Sequence, residues 1–172
     1  IAGNTDYEAF KNDEAYTESK ELLIPNARKF QRYYNLQNSR RSYTTLRPYI
    51  QKAEELNLRP ILGPLLDEIK TEFLANTLTA ENEAILPLIQ QLLAEYTVVL
   101  ALPDLNFVND GDGWRVIENQ YGVGSGQDSN LRNQLQQMHT RAEQNAAQFE
   151  IALKDQLYAN LDDYPTFRDS NY

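Results

Sequence analysis

The chain has no cysteine, and among its 172 residues it has one histidine, one methionine and one tryptophan. The missing cysteine removes disulfides, thiolate metal sites and cysteine nucleophiles together. A single imidazole, His139, cannot build a multi-histidine metal centre, and no serine is evidently paired with it. Also absent is an uninterrupted apolar run of the roughly 18–20 residues that a membrane span requires, so no membrane partner is expected. Positive charge is scarce. Sixteen lysines and arginines face 25 aspartates and glutamates, a net of −9, which argues against a general nucleic-acid coat. What is present is an ordinary globular composition, 41% hydrophobic and 24% charged, with enough length to bury one core without covalent staples. Because position 1 is isoleucine rather than methionine, an upstream stretch is expected to have preceded it. The residues that follow hold no signal-peptide hydrophobic region.

Charge is unevenly distributed. Residues 1–19 hold one lysine and five acids, residues 20–60 hold nine basic residues and three acids, and residues 61–172 hold six basic residues and 17 acids. The first stretch lacks a sustained apolar period and is expected to be an acidic arm. Residues 20–172 are expected to form a single helical domain.

Within that domain the apolar spacing predicts a succession of helices. Pro25-Asn26 opens a short one carrying Ala27, Phe30 and Tyr34. A second is expected from a cap at Thr44 or Thr45 to Leu56, with Pro48 in its tolerant first turn and Pro60 ending it. Leu62-Gly63-Pro64 launches a third with Leu65, Leu66, Ile69, Phe73 and Leu74. Thr79 caps a fourth, in which Pro87 either kinks the helix or separates off a lead-in, and Pro103 stops it. Its nearly continuous apolar surface makes it the expected centre of the core. There Leu92, Leu93, Tyr96 and Leu100 are expected to meet Ile50, Leu66, Ile69 and Leu135.

Between Leu105 and Asn119 the period changes. Phe107-Val108, Asn109-Asp110-Gly111-Asp112-Gly113 and Trp114 to Ile117 read as a β-hairpin. A glycine-bearing connector follows, and then Ser129 caps a helix of about 30 residues with one narrow apolar stripe. Its remaining surface is rich in uncharged amides: Gln134, Gln136, Gln137, Gln144, Asn145 and Gln148. At roughly 45 Å such a helix outruns a small bundle, so part of it is expected to meet another subunit. The tail aromatics Tyr164 and Phe167 suit docking back onto the body. The expected fold class is thus mainly α, a helical bundle with a long C-terminal helix and one hairpin insertion.

Few residues here point to chemistry. Gly122-Val123-Gly124-Ser125-Gly126 precedes a helix, but Gln127 stands where the dinucleotide fingerprint needs glycine, and no Lys-Ser/Thr follows. Asn109, Asp110 and Asp112 are spaced like part of a calcium loop. Val108 and Asn119 nevertheless fall where its end carboxylates belong, and an ordinary turn explains the cluster. Glu68 and Glu72, one helical turn apart, read as a solvated face rather than a catalytic pair. No metal, cofactor or small-molecule substrate is expected, and no catalytic activity. The sharpest feature is basic: Arg28, Lys29, Arg32, Arg40, Arg41 and Arg47 interleaved with Tyr33, Tyr34 and Tyr43. Such a surface can grip phosphates while its rings stack on bases. The net negative charge favours a protein partner instead. Arg28, Lys29, Arg32, Tyr33, Arg40, Arg41 and Tyr43 are its candidate contact residues.

Several fragments together carry a resemblance: Leu22-Leu23-Ile24 with Phe30 and Tyr34, Leu46-Arg47-Pro48-Tyr49-Ile50-Gln51-Lys52-Ala53-Glu54, Ile61-Leu62-Gly63 with Leu65, and Leu86-Pro87-Leu88-Ile89 with Ala94 and Tyr96. Followed by the hairpin and a long helix, this order resembles an uncharacterised bacterial family of prophage type. It is similar in size and plan to phage head–tail connector (head-completion) proteins. The resemblance implies a ring-forming structural protein between a portal and a tail, cytoplasmic or virion-associated, and it carries over no catalytic residue. The alternatives are a monomeric adaptor that binds through residues 28–47 and a hydrolase with unrecognised carboxylates.

Overall fold

The computed structural model describes residues 21–109, 113–117 and 129–170. The acidic arm, the turn Asp110–Asp112, the glycine-bearing connector and terminal Tyr172 lie outside the described residues. The described part is mainly helical. Its elements are α1 (Ala27–Phe30), α2 (Arg40–Ala53), a π-helical turn (Glu54–Leu58), α3 (Arg59–Leu62), α4 (Leu65–Ala75), α5 (Ala80–Ala101), β1 (Asn106–Asn109), β2 (Trp114–Ile117), α6 (Ser129–Ala159), a 3₁₀ turn (Leu161–Asp163) and α7 (Pro165–Ser170).

α5 is the centre, flanked chiefly by α6 and α2. Leucine, isoleucine, valine and alanine recur around most of its circumference, and Ile85, Ile89, Leu92, Leu93, Ala94, Val98 and Ala101 are buried. Thr79 starts the helix by accepting the Asn82 amide on its side-chain oxygen. Pro87 sits on its exposed side, within one continuous helix. By length and composition α5 alone among the described helices is long and apolar enough to cross a membrane. No single run of sequence showed this, because Gln90, Gln91 and Glu95 interrupt it. Its apolar faces are turned onto the core: Leu92 and Leu93 share one cluster with Ile50, Leu66 and Ile69, against which Tyr96, Leu100 and Leu135 pack.

Two proline expectations are corrected. α2 begins at Ser39, whose hydroxyl accepts the Ser42 amide, rather than at Thr44 or Thr45. Those threonines lie inside the helix and donate back to Arg40 O and Arg41 O, so Pro48 occupies the helix interior rather than its first turn. Pro60 does not end the helix either. The N–H of Arg59 reaches Glu54 O, five residues back, across the π turn. The chain then re-enters α geometry with Pro60 in the opening turn of α3, where no N–H is needed. It stops at Gly63, whose φ of 55° and ψ of −136° suit glycine alone.

Leu22, Leu23 and Ile24 form no regular element yet are buried, and buried backbone polar groups must find partners. Side chains supply them. Glu54 Oε1 accepts Leu23 N–H at 2.8 Å, Gln90 Nε2 donates to Leu23 O at 2.6 Å, and Tyr43 Oη donates to Ile24 O at 2.9 Å. Lys70 Nζ pairs with the other Glu54 oxygen at 2.6 Å. Burial still pushes the Glu54 carboxyl above the usual range, because desolvation outweighs Lys70 and the Leu23 amide.

β1 and β2 pair antiparallel, Asn106 opposite Ile117 and Asn109 opposite Trp114. The segment expected as a hairpin contributes this four-residue pairing at the margin and no layer to the fold. The tail docks back: Tyr164 Oη donates to Glu81 O at 3.0 Å, and buried Phe167 meets the Tyr158 ring edge-on at 5.5 Å.

Candidate functional site

The basic segment is only partly a surface. Arg28 and Lys29 lie on α1, Arg32 in the turn after it, and Arg40 and Arg41 open α2. Arg28, Arg32, Arg40 and Arg41 are exposed and Lys29 is half-buried. Tyr43 is not a contact residue: it is 6% exposed, and burial raises its phenol. The reason is the earlier start of α2, which puts Tyr43 on the same inward stripe as Leu46, Ile50 and Ala53. Tyr33 is half-buried and its hydroxyl donates to Gln90 Oε1 at 3.1 Å, so only its ring is available outside.

Other residues considered from sequence have structural partners. Asn82 Nδ2 donates to Glu72 Oε2 at 2.8 Å and to Glu68 Oε1 at 3.3 Å, fastening α4 to the start of α5. Glu68 also accepts from Thr166 of α7, and Glu72 from Thr79. His139 sits one turn before Glu143, its Nδ1 3.4 Å from that carboxylate. Asp110, Asp112 and residues 122–127 lie outside the described residues. Among the described residues no group of three or more histidines, aspartates or glutamates could hold a metal ion.

Sequence reasoning missed a pocket of about 340 Å³ between the loop after α1, β2, α5 and α6. Tyr33, Tyr34, Trp114 and Met138 supply its apolar walls; Asn35, Glu95, Arg141 and Asn145 supply its polar atoms. Trp114 is placed there by its own backbone, whose N–H donates to Asn35 O at 2.9 Å. Gly113 makes the approach possible, since a Cβ at that position would lie 2.8 Å from the Asn35 side chain. Glu95, 6% exposed, projects from α5. Its Oε2 accepts from Tyr34 Oη, and its Oε1 accepts Asn145 Nδ2 at 3.1 Å. Desolvation raises the Glu95 carboxyl despite those bonds and nearby Arg141. It likewise raises the Tyr34 phenol. The signal in the sequence was Glu95, the one charged residue between Ala84 and Ala101, which a binary pattern treats as an interruption.

The second feature is the free length of α6. Among its described side chains, Ala142, Ala146, Leu153 and Leu157 are buried. Among the described side chains before Ala142, half-buried Leu135 and Met138 pack against the core. Asn133, Gln136, Gln137, Thr140, Arg141 and Gln144 line an open depression along that stretch. Farther along the helix Ile151 (61% exposed) and Tyr158 (50% exposed) stand seven residues apart, on one face.

The profile of a family of unknown function, DUF6712, matches residues 58–172, two thirds of the chain. No curated protein and no solved structure matches it. The matched stretch covers α3 to α7, and so holds the central helix, Glu95 and the whole of α6, while α1, α2 and most of the basic segment precede it. The chain therefore belongs to the DUF6712 family.

Proposed function

We propose that this chain is a structural protein that works by association, with further copies of itself or with portal and tail proteins of a phage-type particle, and performs no chemistry. The observation that carries the reading is the outer surface of α6. At 31 residues the helix is roughly 46 Å long, and the described side chains from Asn133 to Arg141 include none that is fully buried. That surface offers carboxamides, which donate and accept hydrogen bonds without the desolvation cost of bare charges. The exposed Ile151 and Tyr158 add apolar area of the kind that marks interaction sites. A head-to-tail contact between the basic residues 28–41 of one copy and the acidic remainder of the next would close into a ring if the rotation permits, as a connector between a portal and a tail requires.

Sedimentation at high protein concentration and low salt tests this reading. Self-association should appear there and weaken at higher ionic strength, since exposed charges are screened beyond about 8–10 Å. Gln137→Glu with Gln144→Glu should weaken it, and Arg28→Glu with Arg41→Glu should do so independently. A strict monomer that also fails to bind the portal and tail proteins of its particle would defeat the reading. A monomer that binds a protein partner through Arg28, Lys29, Arg32, Arg40 and Arg41 would make it an adaptor.

A further inference from the structure

We propose that the pocket at Glu95 is a binding site for a cationic group carried on an apolar stem, a guanidinium or an alkylammonium. Two buried carboxylates in this fold make the case by contrast. Glu54 has its cation, Lys70, at 2.6 Å. Glu95 is buried as well, though less deeply, yet among the described residues no lysine or arginine lies within ion-pair distance of it; its partners are the neutral Tyr34 hydroxyl and Asn145 amide. Buried carboxylates are ordinarily paired, because removing a charge from water is costly unless an opposite charge compensates. The space beside Glu95 is open, and its walls are aromatic. Tyr33, Tyr34 and Trp114 line it, and aromatic rings attract desolvated cations. A carboxylate at the base and rings at the sides suit a guanidinium or ammonium head whose methylene stem lies along Met138.

Arg141 also lines this pocket and is exposed. Its charge acts on Glu95 without forming an ion pair. An entering cation would meet this like charge, which makes Arg141 a competitor rather than a ligand-binding group. The site adjoins the outer face of α6 at Arg141 but differs from it in chemistry, and binding of a small cation is read separately from assembly.

Trp114 is the sole tryptophan and therefore a built-in reporter. The full chain is titrated with N-acetylarginine amide, and separately with tetramethylammonium, while Trp114 emission is followed. A saturable change is expected in the wild type. Glu95→Gln should weaken it by about tenfold or more, the effect of losing a charge-assisted contact. That variant keeps one side-chain oxygen for Asn145 and turns an NH2 toward the Tyr34 hydroxyl, which can accept as well as donate, and its helical circular dichroism should match the wild type. Arg141→Gln, an exposed change, should tighten binding severalfold. If the natural cation is an arginine of a second copy, Trp114 emission will also depend on protein concentration, and Arg28→Gln with Arg32→Gln will abolish that dependence. If it is a free small molecule, emission will be independent of concentration while the probes still bind. No saturable change in either the wild type or Arg141→Gln overturns the proposal. So does a response to acetate or phosphate that Arg141→Gln removes, which would make this an anion site.

Discussion

Replacing Lys70 by alanine should cost about 3–5 kcal/mol of stability, because it strands a buried carboxylate. Glu54 is fully buried, one of its oxygens faces Lys70 Nζ at 2.6 Å, and the other holds the Leu23 amide. Without the lysine only a neutral donor is left. The effect should depend on pH in a definite sense. The Glu54 carboxyl already sits above its ordinary value of 4.5, so the folded state holds that proton more tightly than the unfolded chain does. Its contribution to stability is therefore complete below the ordinary value and declines as pH rises through the raised folded one. Lys70→Ala raises the folded value further, so its cost should be smallest in acid and grow toward neutrality. Urea unfolding at several pH values measures this directly. A cost under about 1 kcal/mol, or one flat with pH, would show that the pair does not hold the fold. The double change Glu54→Gln with Lys70→Met should recover much of the loss, since it removes both charges and keeps an acceptor for Leu23.

Leu93→Ala should cost about 2–5 kcal/mol, the lost transfer energy plus a cavity at the centre of the bundle. Leu93 is completely buried on α5. The control is Leu56→Ala, a change at a leucine that is 59% exposed on the π turn, which should stay within about 0.5 kcal/mol. Equal losses at both positions would mean that the core is not centred on α5.

What the sequence disclosed followed from where its information is periodic. α5 was legible as the central helix because its apolar residues recur on every side, and α6 because its stripe steps by three and four. The Thr79 cap and the helix stop before Pro103 are local signals of backbone chemistry, and both were readable. The start of α2 was misplaced because Thr44 and Thr45 satisfy their hydroxyls inside a helix as readily as at its end, and Ser39 is an equally good cap. The error had a functional consequence, since it put Tyr43 on the surface. Nor could the Glu95 pocket be read: Tyr34, Glu95, Trp114 and Asn145 lie far apart in sequence, and only packing brings them together. The exposed arginines were legible as a charge cluster, but which tyrosines accompanied them was decided by burial.

The π turn carries a consequence of its own for how this segment tolerates change. Leu46, Ile50, Glu54, Leu58 and Leu62 all face inward and are spaced by four throughout. On an α-helix of 3.6 residues per turn, a repeat of four slips by about 40° at every step, so such a row would wind off the core within a few steps. The wider turn at 54–58 takes up that slippage, acting as a phase correction between α2 and α3. Exchanging one side chain for another at exposed Glu55 or Leu56 leaves the correction intact. Losing either residue closes the wide turn into an ordinary α turn, in which a three-residue step from Glu54 to Leu58 turns the row back by about 60° and offsets the drift. The wide turn thus stores one residue of slack, and the leucines of α2 and α3 should keep facing the core when a single exposed residue there is lost.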